Sequence, residues 1–260
     1  MVRLFSFGNM DFSHYHITPL GWFLAIISAF IIGLSKSGIS SISLITVSLL
    51  AYVFGGKNST GVLLPMLSFA DVFAVVYYHR HTQWKYLYKL LPWMIVGILL
   101  GVWFGKDISD VIFKKAMAFL VFLTAVSMIW WERNPKREVP QNWKFASVMG
   151  LGAGFTTMLG NMAGAFSNLY FLAMRLPKEH FIGTASWLFL IINAFKIPFH
   201  VFVWHTVSVK SISLNLALLP FLLIGFFVGI RIVRVLKEDR YRKMVMILTA
   251  TASVFLILSL

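Results

Sequence analysis

The stretch GLSKSG, residues 33–38, sets a lysine, two serines and two glycines between the apolar runs PLGWFLAIISAFII (19–32) and ISSISLITVSLLAYVF (39–54). Segments 19–34 and 39–54 are each about 16 residues, roughly 24 Å as helix. That is short of the roughly 30 Å hydrocarbon core of a bilayer. The pattern reads as two shortened helices joined by a glycine and polar break.

The whole chain is built for lipid. It is 59% hydrophobic and only 12% charged, with a mean hydropathy of +0.81. A soluble domain carries about 25% charged residues, so this chain has too few charges to cover a soluble surface. Further apolar segments read at 60–78, 88–105, 111–131, 143–159, 162–174, 181–204, 212–233 and 241–260. Their lengths suit helices, and the strict alternation of barrel strands is absent. The expected fold is an all-α polytopic membrane protein.

The net charge of +14 does not point to nucleic acid, because the basic residues sit in short loops between apolar runs and not on a polar, aromatic-interleaved domain. The absence of cysteine excludes disulfides, thiolate metal sites and cysteine nucleophiles. No cofactor or metal is expected. Trp84, Trp103, Trp130, Trp131 and Trp204, near segment ends, read as interface belts. His200 and His205 near a segment end read as interfacial and not as metal ligands.

The chain repeats itself. LLPWMIVGILLG (90–101) aligns with LLPFLLIGFFVG (218–229), which sets Pro92, Gly97 and Gly101 on Pro220, Gly225 and Gly229. In a second register, Gly38 falls on Gly160, Gly61 on Gly183 and Asp71 on Asn193. The reading is a duplication: an N-terminal extension (1–18), a first membrane repeat (19–131), a cytoplasmic linker (132–142) and a second membrane repeat (143–260). About five segments per repeat, an odd number, inverts the second repeat. With each segment returning to the opposite side, one side collects 16 Lys/Arg, among them Lys36, Arg80, Lys144, Arg175 and the six from Arg231 to Lys243; the other collects 6. The basic side is cytoplasmic by the positive-inside rule, which leaves both termini outside an inner (plasma) membrane.

The counterpart of the first break is GAGFTTMLGNMAGAFSN (152–168), again rich in glycines, hydroxyls and amides. One interrupted, shortened helix pair per half is the sequence sign of a transport site near the midplane. A helix beginning near Gly38 would aim unpaired N–H groups and its positive end at a small oxyanion. Ser35 and Ser37 would add hydroxyl donors and Lys36 a full charge. Gly160 and Asn161 would supply backbone and amide donors from the second break. The alternatives are an ordinary cytoplasmic turn at 35–38 and close packing of small residues at 160–164.

Asp71 is the one acidic residue well inside an apolar segment. A carboxylate there costs roughly 2.5–3.5 kcal/mol, so it faces the bundle or a wet cavity. It binds a coupling proton or cation, pairs with Lys36 when no anion is present, or forms a structural ion pair, for instance with Lys196. Asn193, Lys196 and His200 fall at spacings of three and four, on one helix face. Lys196 attracts the anion or snorkels to the interface. No HExxH, Walker A or carboxylate dyad is present.

These residues resemble the sulfite exporter TauE/SafE family of membrane transporters over about 20–258. The resemblance is carried by GLSKSG, STGVLLPMLSFADVFAVVYYHR and LLPWMIVGILLG in the first half. In the second it is carried by GFTTMLGNMAGAFSNLYFLAMRLPK, FIGTASWLFLIINAFKIPF and LLPFLLIGFFVG. It implies a duplicated bacterial inner-membrane transporter of small anions, often sulfite or organosulfonates. Many members carry a GxGGG-type cluster where GLSKSG stands, so the position carries over as the site. The expected function is a secondary transporter or exporter of a small oxyanion by alternating access, not an enzyme. The rival readings are an anion channel on the same scaffold and an integral-membrane enzyme acting on a lipid-linked substrate.

Overall fold

Local chemistry fixes where the helices begin. Thr18 accepts the Gly21 N–H at 3.1 Å ahead of Pro19, which opens α1 (Pro19–Lys36) with its φ already set. Asn142 accepts the Phe145 N–H at 3.0 Å and opens α5 (Trp143–Gly160). Ser208 and Ser211 cap each other's backbone N–H groups at the start of α8 (Val209–Val235). The remaining helices are α2 (Ser43–Phe54), α3 (Gly56–Tyr78), α4 (Trp84–Gly105), α6 (Ala163–Ala173), α7 (Lys178–Phe202) and α9 (Glu238–Leu258), with a 3-10 turn at His79–His81.

The computed structural model describes residues 17–39, 42–105, 112, 126 and 142–258. The expected segment 111–131, apart from residues 112 and 126, most of the linker 132–142, and most of the extension 1–18 lie outside the described residues. Among the described residues every regular element is a helix. Five helices are long and apolar enough to cross a membrane: Pro19–Lys36, Asn58–His81, Trp84–Gly105, Lys178–Phe202 and Val209–Val235. The partners of the two breaks are shorter. Helix α2 has 12 residues and α6 has 11, roughly 16–18 Å each.

Helices from opposite ends of the chain pack together along two glycine seams. In the first, α1 lies against α8. A Cβ on Gly33 would collide with the Leu222 carbonyl, one on Gly225 with the Phe30 carbonyl, and one on Gly229 with Ser37 and Leu34. In the second, α4 lies against α5. A Cβ on Gly154 would collide with the Met94 carbonyl, one on Gly97 with the Leu151 carbonyl, and one on Gly101 with Met158 and Phe155. The partners correspond one to one, at an offset of 121 between α1 and α5 (Gly33 with Gly154, Phe30 with Leu151) and of 128 between α4 and α8 (Met94 with Leu222). Only glycine lets two helices approach this closely.

Between the seams, α3 and α7 run antiparallel. Gly61, near the start of α3, faces the Thr206 carbonyl beyond the end of α7, and Gly183, near the start of α7, faces Tyr78 and His81 at the end of α3. Their midpoints meet at Asp71 and Asn193. The apolar core divides accordingly. One cluster gathers α4 to α7, with Leu87, Met94, Leu188 and Ile192 fully buried, and a second gathers α1, α3 and α8 around Ile32, Met66 and Leu222.

Candidate functional site

The first break ends a helix; it does not begin one. Ser35 and Lys36 are the last residues of α1, the Ser37 N–H returns to the Gly33 carbonyl, and the Gly38 N–H returns to the Ser35 carbonyl at 3.2 Å. Gly38 has φ +126°, open to glycine and strained for other residues. The expectation of a helix beginning near Gly38 is thereby corrected. Glycine permits both a start and a stop, and here the positive φ closes α1, while α2 begins at Ser43. The break is pinned from two sides. Tyr78 donates to the Ser37 carbonyl at 2.8 Å and Tyr241 to the Gly38 carbonyl at 2.9 Å.

The second break has a different build. Asn161 sits in the left-handed region at φ 57° and ends α5, a conformation asparagine tolerates better than most residues. Helix α6 starts two residues later, so its first turn at Ala163 and Gly164 presents the positive end of a helix.

Both breaks open onto one cavity of about 40 Å³, room for a few waters or one small ion. Ser35, Lys36 and Gly38 line it from the first break, Thr157, Asn161, Ala163 and Gly164 from the second, and Asn193 and Phe189 from α7. Ser37 and Gly160 do not line it. The Ser37 hydroxyl is turned back onto the Leu34 carbonyl at 2.7 Å, and Gly160 is buried as the last residue of α5.

Behind the lining lies a charged layer. Lys36 Nζ is 2.6 Å from Asp71 Oδ1, and Asn193 Nδ2 donates to Asp71 Oδ2 at 2.6 Å. Asp71 is wholly buried and the Lys36 side chain is 8% exposed, so this is a dry ion pair. The ammonium also lies 4.3 Å from the Phe189 ring centre, a cation–π contact. Asp71 therefore pairs with Lys36 and not with Lys196.

Lys196 is fully buried and does not snorkel. Its Nζ donates to the Thr157 carbonyl at 2.9 Å, to Thr157 Oγ1 at 3.0 Å and to Asn161 Oδ1 at 2.5 Å. All three acceptors are neutral. Lys196 thus fixes the Asn161 side chain from behind, as Asp71 holds Lys36 from behind. Thr157 is the residue that sequence reasoning missed. The available signal was its place one turn before Asn161, on the same face of α5.

Farther out, His200 is buried with Nδ1 2.8 Å from Thr206 Oγ1. Trp204 also departs from the expected interface belt. It is 8% exposed, stacked edge-on to His200 and packed over Gly105. Trp84 and Trp103 are 40% and 71% exposed, while Trp130 and Trp131 lie outside the described residues. Among the described residues no group of three His, Asp or Glu is placed to hold a metal ion.

Comparison with known proteins identifies the family of the chain. Searches of curated proteins and of solved structures return no match. The family model described as sulfite exporter TauE/SafE matches residues 25–256, which takes in both breaks, both glycine seams and the Asp71–Asn193 contact. The chain belongs to the sulfite exporter TauE/SafE family of membrane transporters.

Proposed function

We propose that the protein is a secondary transporter of a small oxyanion, sulfite or an organosulfonate-like ion, which it moves by alternating access through the cavity between the two breaks. The observation that carries this reading is that one cavity is lined by the break of each half, with Lys36 at its wall. Hydroxyl, amide and helix-terminus donors surround it, and anions are recognised by such groups. Ser35, Asn161 and the first turn of α6 bind the anion. Lys36 attracts it, and Asp71, Asn193 and Lys196 gate the site or couple it to a proton or cation.

The reciprocal glycine seams and the contact between the repeat mates Asp71 and Asn193 support two inverted repeats. Mates that touch each other lie on the axis relating the halves. For repeats with an odd number of crossings that axis runs in the membrane plane, which is the layout of many alternating-access transporters. The bias of lysine and arginine favours an inner membrane with the Lys36 side facing the cytoplasm and both termini outside.

The test is a thermal-shift screen of the detergent-solubilised protein against sulfite, thiosulfate, sulfate, sulfoacetate, taurine, phosphate and acetate. A ligand that binds only the folded state raises the melting temperature by mass action. The expected result is a selective shift for sulfur oxyanions that is lost in Lys36→Ala and kept in Lys85→Ala, an exposed loop-side lysine. No shift with any anion would overturn the substrate class, and equal shifts in the two variants would overturn the role of Lys36.

A further inference from the structure

The buried groups around the cavity do not balance in charge. Among the described residues two lysines are present, Lys36 and Lys196, and one carboxylate, Asp71. Lys36 is neutralised by Asp71, and Lys196 is held by three neutral oxygens. The three oxygens are as many as the protons of an ammonium, and none of them carries a negative charge. Among the described residues no other charged group faces Asp71. Helix α1 contributes Lys36, α7 contributes Asn193 and Lys196 with His200 one turn on, α3 contributes Tyr78, and α9 contributes Tyr241. Both tyrosine hydroxyls are donated to backbone carbonyls. Helix α8 brings its arginines only near its far end, where Arg234 donates to Tyr77.

Building on the proposed small-anion site, we infer that the resting site carries one net positive charge, so that it accepts a monoanion as it stands and a dianion only together with one proton bound on Asp71. Uncompensated charge in a low-dielectric cavity is strongly unfavourable. A monoanion brings the layer to neutrality. A dianion leaves it one charge negative unless Asp71 is neutralised. The proton comes from a hydronium ion of the bulk solvent, whose O–H bond breaks as one O–H bond forms at Asp71 Oδ1, the oxygen that faces Lys36. Asn193 continues to donate to Oδ2, and the Lys36 ammonium leaves Asp71 for the anion. No other bond is made or broken. Both kinds of substrate then cross with the same net charge on the site, and a dianion carries a proton with it.

The experiment uses the full chain in detergent and two probes that do not titrate near neutrality, methanesulfonate as monoanion and sulfate as dianion. Isothermal titration in pairs of buffers with different ionisation enthalpies counts protons taken up on binding. Methanesulfonate is expected to take up none and sulfate about one. Because bound sulfate needs the extra proton, its affinity falls as pH rises, by up to about tenfold per unit, while that of methanesulfonate stays level. Asp71→Asn is expected to bind sulfate with no proton uptake and no pH slope. Proton uptake with methanesulfonate, or sulfate binding with none, overturns the charge rule and leaves the anion site standing. Failure of the folded protein to bind either probe overturns both. Should Asp71→Asn not fold, the wild-type proton count decides alone.

Discussion

Asp71 and Asn193 hold matching places in the two halves of the chain, and their side chains touch, with Asn193 Nδ2 donating to Asp71 Oδ2 at 2.6 Å. One mate is ionisable and the other is not. The contact is therefore asymmetric in charge, and the Asp71 carboxylate is committed to Lys36 from the first break.

Breaking that ion pair from one side strands a buried charge. Asp71→Ala and Lys36→Ala are each expected to destabilise the protein by about 3–5 kcal/mol, and the double variant by much less than the sum. Chemical denaturation across the four-member cycle measures the coupling. Additive losses would mean that the two residues act independently.

Asn161 combines a backbone role with a side-chain role. Asn161→Gly keeps the left-handed conformation and removes the oxygen that accepts from Lys196. It is expected to fold, to lose about 1.5–3 kcal/mol of stability because the buried Lys196 is left one acceptor short, and to bind anion about tenfold or more weakly, the effect of losing one hydrogen bond to a charged group. Asn161→Ala adds backbone strain and is expected to lose more melting temperature. Parallel thermal melts and anion titrations separate the two effects.

The tyrosines that hold the first break act from different helices. Tyr78→Phe and Tyr241→Phe each leave a buried carbonyl, that of Ser37 or Gly38, without its donor. Each is expected to cost about 1–3 kcal/mol and to speed hydrogen exchange at residues 35–39 while leaving α4 unchanged. Exchange measured by mass spectrometry checks this.

The seams give a matched pair of outcomes. Gly33→Ala and Gly154→Ala set a methyl group against the Leu222 and Met94 carbonyls, respectively, and both are expected to destabilise by about 1–3 kcal/mol through forced separation of the helices. Val148→Ala, on an exposed position of α5, is expected to leave the melting temperature unchanged. Melts of the three variants provide the test.

Much of this architecture was legible in the chain because lipid restricts it. Apolar runs mark the helices, and the glycines of the Pro-Gly-Gly register, Gly97, Gly101, Gly225 and Gly229, all lie in the seams. What the sequence hid was relational. Asp71 has two lysines within reach in principle, and no spacing rule links residues on different helices, so the choice of Lys36 over Lys196 came only with the fold. Gly38 was read as the opening of a helix because glycine favours neither end, and its φ alone assigns it to the close of α1. Thr157 was passed over because a hydroxyl in a buried helix ordinarily bonds its own backbone, as Thr156 does to the Gly152 carbonyl.

The crossed seams also bear on how the polypeptide comes into being. Helix α1 finds its closest partner in α8, and α4 finds its own in α5. Neither half encloses its own first helix, so the two halves are interlaced and not modular. A ribosome that has released only the first half has made α1 without the surface it fits, and that helix waits in the bilayer until α8 arrives. Cut within the linker at 132–141 and co-expressed, the two fragments should find each other and restore the fold; expressed singly, each should be cleared by proteolysis. The two seams thus make each half of the chain an obligate partner of the other.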